Sequence, residues 1–303
     1  MNETQVISGE QSSTYESFWN SMAERTREAW RVLSRNPLSL VGLPIAVFMI
    51  VVAILAPVIS PYPYEEMDLA NRTQGPSRAH LLGTDRFGRD ILSRMIWGAR
   101  ASLSVGAAGI GIAMTVGTAI GMLSGFFGGW LDEAVMRVMD IILSFPYIVL
   151  AVALIAMVGP SLRNVIVVIA ITRTPRFARL ARASALALKE VEFVTAARAI
   201  GQTNWGIIYR HILANSLTPI VVMGSLTTAT AILTEASLSF LGLGIQPPMP
   251  SWGNMIADGR GFLMDAPWIA TFPGLAISLT ILGFNLFGDG LRDILDPRLR
   301  GRE

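Results

Sequence analysis

Residues Val194–Asn215, VTAARAIGQTNWGIIYRHILAN, decide how this chain is read. They form a polar, basic interlude between strongly apolar segments. Ala196 and Ala197 put two small side chains on a short helix, and Gly201 stands where that helix would stop. Val191, Phe193, Val194, Ala197 and Ile200 recur at near-helical spacing, so Lys189–Ile200 is predicted to be a short amphipathic helix. Thr203 or Asn204 can then cap a second helix, which continues as WGIIYRHIL into the next apolar run. The stretch predicts a helix lying across two spans, with space at its alanines for a groove on another protein to close over it.

On either side the chain is oily. The apolar fraction is 52% and the charged fraction 15%, where a soluble domain carries about a quarter charged residues. Residues 36–64, 101–131, 141–162, 212–234 and 266–288 carry no charge at all. Each run is long enough for the roughly 20 residues that cross hydrocarbon, and backbone in hydrocarbon must satisfy its own hydrogen bonds, so each is read as a helix. A soluble core of this size has no use for five such runs. A sixth span is weaker. Asn164–Thr172 is apolar, then Arg173, Arg176, Arg179 and Arg182 follow; about 163–183 is read as one helix, kinked near Pro175, whose basic end emerges from the membrane. Arg173 either faces the bundle interior, because a charge facing lipid is expensive, or snorkels to the headgroups. The expected fold class is an all-α membrane protein with six transmembrane helices.

Charge sets the orientation. Arg25, Arg27, Arg31 and Arg35 precede the first span, Arg173–Arg182, Lys189, Arg198 and Arg210 surround the opening stretch, and Arg292, Arg298, Arg300 and Arg302 close the chain. Placing these inside gives cytoplasmic termini. The expected divisions are 1–37, a cytoplasmic N-terminal segment; 38–60, the first transmembrane helix; 61–97, an external segment of mixed charge; 98–290, a core of five transmembrane helices; and 291–303, a cytoplasmic tail. Residues 14–35, with Tyr15, Phe18, Trp19 and Trp30 among arginines, can form an amphipathic helix on the membrane lipid. They do not read as a signal peptide. The net charge of +2 gives no case for nucleic acid, and the absence of cysteine excludes disulfides and thiol chemistry.

Inside the bundle, Gly117, Gly121, Gly125 and Gly129 recur every four residues and mark a stripe where another helix can approach closely. Asp140 and Glu235 are isolated acids that could pair with a bundle arginine or, with Arg173, line a polar pathway. Pro146, Pro160, Pro175, Pro219 and Pro273 can kink helices. No metal cluster, phosphate-binding glycine loop or nucleophile–base pair stands out, and His80 and His211 lie far apart in sequence.

The opening stretch resembles the cytoplasmic loop of bacterial ABC-importer permeases, whose pattern is Glu-Ala-Ala-x3-Gly-x9-Ile-x-Leu-Pro. Ala196, Ala197 and Gly201 match; Thr195 replaces the glutamate, and the motif ends here on His211-Ile212-Leu213-Ala214, without its proline. His80–Arg100 (HLLGTDRFGRDILSRMIWGAR), Arg137–Pro146, Leu238–Ile256 and Phe284–Leu299 resemble segments of the dipeptide/oligopeptide/nickel permease family, in its C-type subunit. These segments are spread over nearly the whole chain.

The resemblance implies a type I ABC-importer permease core with a cytoplasmic coupling helix, in a multi-pass subunit of the bacterial inner membrane. The implied partners are a second, B-type permease subunit, two ATP-binding subunits and an external solute-binding protein. This chain would carry no cofactor; ATP and Mg would sit in the partners, since the Gly-x4-Gly-Lys-Ser/Thr loop is absent. Glu190, Phe193, Thr195, Ala196, Ala197, Gly201 and Asn204 would couple to the ATPase. Residues 61–97 and 241–265 would meet the binding protein or cap the pathway mouth, with Asp85, Arg86, Arg89 and Asp90 as candidate contacts. The lack of a histidine or acidic cage leans toward peptides over bare metal ions. An ATP-independent secondary transporter or channel is the alternative; against it, no internal repeat is visible and intramembrane acids for proton coupling are few.

Overall fold

The computed structural model describes residues 37–295; the amphipathic helix expected at 14–35 and most of the expected tail lie outside them. Ten α-helices lie among the described residues: α1 (Pro37–Ile59), α2 (Ile91–Phe127), α3 (Gly129–Ser144), α4 (Tyr147–Val158), α5 (Leu162–Leu188), α6 (Glu192–Ala199), α7 (Asn204–Ile207), α8 (Ala214–Phe240), α9 (Trp252–Gly259) and α10 (Trp268–Leu295). A π-helical segment, Ile208–Leu213, joins α7 to α8 without a break in the chain direction. Among the described residues the only strand-like pairing is the isolated bridge between Thr84 and Asp90.

Among the described residues four segments are long and apolar enough to cross a membrane: Ser39–Ile59, Ile91–Phe127, Asn204–Phe240 and Trp268–Asp293. The apolar run 141–162, expected as one span, is not a single rod. It divides into α3 and α4, bent by 93° at Phe145–Pro146. Pro146 has no amide to donate, and the residue before a proline is pushed out of the helical region; Phe145 sits accordingly at φ −92°, ψ 140°. The expected sixth span corresponds to α5, which is 27 residues long but not apolar enough to pass for a span, because its arginines interrupt it.

The glycine stripe explains the closest helix pair. α2 lies along α5, and a Cβ at Gly117, Gly121 or Gly125 would run into the backbone of α5 at Thr174, Ala178 or Arg182. Gly129 leaves the stripe: it follows Gly128 at the junction of α2 and α3, both with positive φ. One apolar core fills the space between α2, α4, α5 and α8, around Ile155, Ile169, Phe177 and Leu238. A second joins α1 and α10 to α2, α8 and α9, around Ile91, Ile232, Trp252 and Ile269. A third, smaller one sits at the far end of α2, and it carries α6.

Candidate functional site

Helix α6 is held by two side chains. Val194 and Ala197 are buried against Phe126 of α2, Ala185 of α5, and Ile207, Ile208 and Ile212. The helix starts at Glu192 rather than at the expected Lys189. Its C-terminus closes as a complete Schellman motif. The Gln202 amide donates to the Ala197 carbonyl (3.0 Å) and the Gly201 amide to the Arg198 carbonyl (3.0 Å). Gly201 has φ 81°, a left-handed conformation that most side chains avoid. A Cβ built there would have nothing within 4 Å. Thr203 caps α7, its hydroxyl accepting from the Gly206 amide at 3.2 Å. His211 Nε2 lies 2.8 Å from Gln202 Oε1 and ties the turn to the π-segment.

The other side of α6 is bare. Glu190, Phe193, Thr195, Ala196, Gly201 and Asn204 are exposed, and Ile200 keeps 82% of its surface. Of the residues expected to couple, Ala197 alone points into the bundle, where it anchors the helix. Two aromatic side chains that the motif does not include, Trp205 and Tyr209, are exposed as well, and they line an apolar groove with Thr115, Met122 and Leu217. Their i, i+4 spacing beside the motif glycine was the available signal.

Beneath α6 two arginines of α5, Arg179 and Arg182, are ion-paired. Arg182 makes a bidentate contact with Asp132 of α3, at 2.6 and 2.5 Å. Arg179 reaches Asp140 at 2.6 Å, and both are about half exposed, so Asp140 lies at the surface of this chain. Arg173 does not snorkel. It is 2% exposed, its guanidinium stacks over the Tyr147 ring at 4.2 Å, and Nη2 donates to Thr234 Oγ1 at 3.2 Å. Tyr147 sits just after the break at Pro146, which is what brings the ring to the arginine. Glu235 is fully buried, accepting from the Ser102 and Ser239 hydroxyls at 2.7 Å each. Arg173 and Glu235 are thus enclosed in the bundle, and neither is brought together with Asp140.

At the opposite end of α2, residues 84–94 fold into a clasp. Asp85 Oδ1 accepts from the Phe87 and Arg89 amides (2.8 and 3.0 Å), and Oδ2 pairs with Arg89 Nε at 2.6 Å. Asp90 caps α2, accepting from the Ser93 amide (2.7 Å) and hydroxyl (2.8 Å), and pairs with His80 at 2.9 Å. Of the four candidate binding-protein contacts, Asp85, Arg89 and Asp90 are therefore buried: the two carboxylates are consumed by backbone amides and neighbouring side chains, and Arg89 spends its Nε on Asp85. Only Arg86 presents surface, and it pairs with Asp258 of α9 at 2.9 Å. Two tryptophans lock the clasp to the other connection. Trp252 Nε1 donates to the Met95 carbonyl (3.1 Å) and Trp268 Nε1 to the Thr84 carbonyl (3.3 Å). Within 241–265, expected to meet the binding protein or cap the pathway mouth, Pro247–Trp252 ends on this buried Trp252.

The arrangement is a helical membrane bundle with a short helix seated at one end and a folded clasp at the other, which is the architecture of an ABC-transporter permease. A solved structure titled as inward-facing conformations of the MetNI methionine ABC transporter shares the fold, with a TM-score of 0.55 at 19% identity, covering 67% of this chain and 96% of that one. Residues 117–301 match the family model for the binding-protein-dependent transport system inner membrane component, and residues 25–76 that for the N-terminal transmembrane domain of oligopeptide transport permease C. The chain belongs to this family of permeases. It is 49% identical to the dipeptide transport system permease protein DppC of Alkalihalophilus pseudofirmus, over 90% of each chain. It is 45% identical to the glutathione transport system permease protein GsiD of Pectobacterium atrosepticum, over 90% of this chain and 91% of that one. The chain is a transmembrane permease subunit of an ATP-driven importer, a multi-pass membrane protein and not itself an enzyme.

Proposed function

We propose that this chain is the C-type permease subunit of a peptide importer. In this reading it forms the translocation pathway with a B-type permease and takes mechanical input through α6 from one of two ATP-binding subunits. A solute-binding protein delivers substrate at the clasp end. The clasp and the 241–267 connection are external, and both termini and α6 are cytoplasmic. Six segments then cross the membrane: α1, α2, the broken α3–α4 pair, α5, α7–α8 and α10. Relatives named for dipeptide and glutathione transport support the solute class.

The observation that carries the coupling role is the two-sidedness of α6. Val194 and Ala197 fix it to three bundle helices, while Thr195, Ala196 and Ile200 face away from the chain and the exposed Phe193 rests beside the His211 ring. A helix attached this firmly on one side and bare on the other passes a displacement of its free face to the bundle. The chain has no cysteine, so Ala196→Cys gives a single reactive thiol. Oxidative cross-linking of the assembled importer should join it to an ATP-binding subunit carrying a cysteine in its docking groove. Cross-linking that goes instead to an external protein, or to no subunit along a series of groove positions, would exclude the assignment. A reporter enzyme active only in the cytoplasm, fused after Glu303, should be active.

A further inference from the structure

The end of the bundle opposite α6 holds a cavity of about 670 Å³ between the clasp, the C-terminal end of α8 and α9. Four guanidinium groups line it, from Arg86, Arg89, Arg94 and Arg260, and its one lining acid is Asp258. Asp85 lies behind the wall, on Arg89 at 2.6 Å and Arg94 at 3.6 Å. Four positive charges thus meet two negative ones, an excess that a low-dielectric wall does not screen. Arg94 is partly satisfied, donating Nη1 to the Tyr64 carbonyl at 3.2 Å.

Arg89 is the telling member. It is 4% exposed, its Nε is held by Asp85, and its buried Nη2 carries no hydrogen bond. The Asp258 carboxylate stands 3.6 Å from that nitrogen, beyond hydrogen-bond reach, and is itself drawn to Arg86 at 2.9 Å. A buried guanidinium normally has its donors met. Here a rigid donor is held in place by Asp85 and left open beside a void of ligand size. The void is far larger than one side-chain carboxylate needs. The loop wall is also pre-formed, since Gln246 and Asn254 spend their amides on the Gly242, Gly244 and Ile245 carbonyls.

We propose that this cavity is a subsite for a small carboxylate-bearing solute, whose carboxylate completes the hydrogen bonding of Arg89 with Arg260 as a second cation. The peptide-importer reading supplies the class of solute, but the test does not depend on transport or ATP. The assembled importer, in nanodiscs and without binding protein, is titrated with N-acetyl-Ala-Ala and with its C-terminal amide, which differ only in the carboxylate. The expected result is saturable binding of the acid, weakened about tenfold or more in the amide. Arg89→Gln and Arg260→Gln should weaken the acid by a similar factor and leave the amide unchanged, and Arg89→Lys should weaken it less than Arg89→Gln. Arg260 is exposed, so its variant carries the test if Arg89→Gln does not assemble with the ATP-binding subunits. Equal binding of acid and amide, or no saturable binding, overturns the proposal. So does loss of binding-protein capture by Arg260→Gln without any peptide binding, which would make the cavity a seat for a protein side chain.

Discussion

Replacing Gly201 by aspartate separates the two things this residue does. Within the chain it ends α6 at φ 81°, and toward a partner it keeps the tip of that helix bare. The intramolecular cost is small. Aspartate tolerates the left-handed region better than most residues, at about 1 kcal/mol relative to glycine. Its charge sits at the negative end of the α6 dipole, which adds about 0.3–1 kcal/mol. No atom lies within 4 Å of the new Cβ, so no clash is added. The sum, about 1–2 kcal/mol, falls on a helix whose buried Val194 alone contributes about 1.5–3 kcal/mol. The variant should therefore fold, reach the membrane and keep α6 in place. Coupling is another matter, because a charged side chain at the helix tip blocks a close-fitting groove. Uptake of radiolabelled dipeptide by cells carrying the complete importer should fall to background at unchanged membrane abundance. Gly201→Ala, with the backbone strain but neither charge nor length, should keep most of the uptake. Normal uptake by Gly201→Asp would refute the coupling role. Loss of the protein from the membrane would refute the claim that this corner is open.

Further outcomes follow from the packing. Gly121→Val should lower stability by about 1–3 kcal/mol, because α5 has no room to retreat; an unchanged thermal midpoint in detergent would contradict the close α2–α5 contact. Val194→Asp puts an unpaired carboxylate into the apolar cluster under α6, at a cost of roughly 3 kcal/mol or more, and should speed tryptic cleavage after Arg198. Arg182→Gln strips the largely buried Asp132 of two donors and should cost about 1–2 kcal/mol, partly restored in the double variant with Asp132→Asn. The purified chain alone should hydrolyse no ATP, and ATPase activity from it would overturn the subunit reading.

Much of the bundle was legible because its signals are local. Uncharged runs, a four-residue glycine spacing and a helix-ending glycine each act within a turn or two of themselves. The break at Pro146 was legible only as a possible kink, since sequence does not say how far a freed backbone will turn. Arg173 was ambiguous for a related reason: whether it reaches the headgroups depends on Tyr147 and Thr234, one beyond a break and the other on a helix 61 residues away. The clasp misled most. A run of alternating charges reads as a surface for a partner, yet Asp85 and Asp90 fold inward onto backbone amides within four residues of themselves. The missed partner Asp258 lies on a helix that only tertiary structure brings there, as Asp132 does for Arg182.

The two ends of the chain are mechanically joined by one element. Helix α2 has 37 residues and spans about 55 Å, from its Asp90 cap in the clasp to Phe126 beneath α6. Its glycines seat it against α5 so closely that the two cannot slide without steric overlap, and α5 is tied to α3 through Arg182 and Asp132. Under the proposed docking, a displacement of α6 therefore meets a rigid pair that reaches the clasp, rather than a chain of soft contacts. Compliance is then expected elsewhere, at the 93° break beside Pro146 and in the π-segment Ile208–Leu213, where the regular helical ladder is already interrupted. Motion driven at α6 is then expected to turn α2 and α5 as a unit against α4 and α8, and that division runs past Arg173, whose contacts to Tyr147 and Thr234 lie one on each of those two helices. The arginine that sequence left undecided stands at the seam between the part that moves and the part that yields.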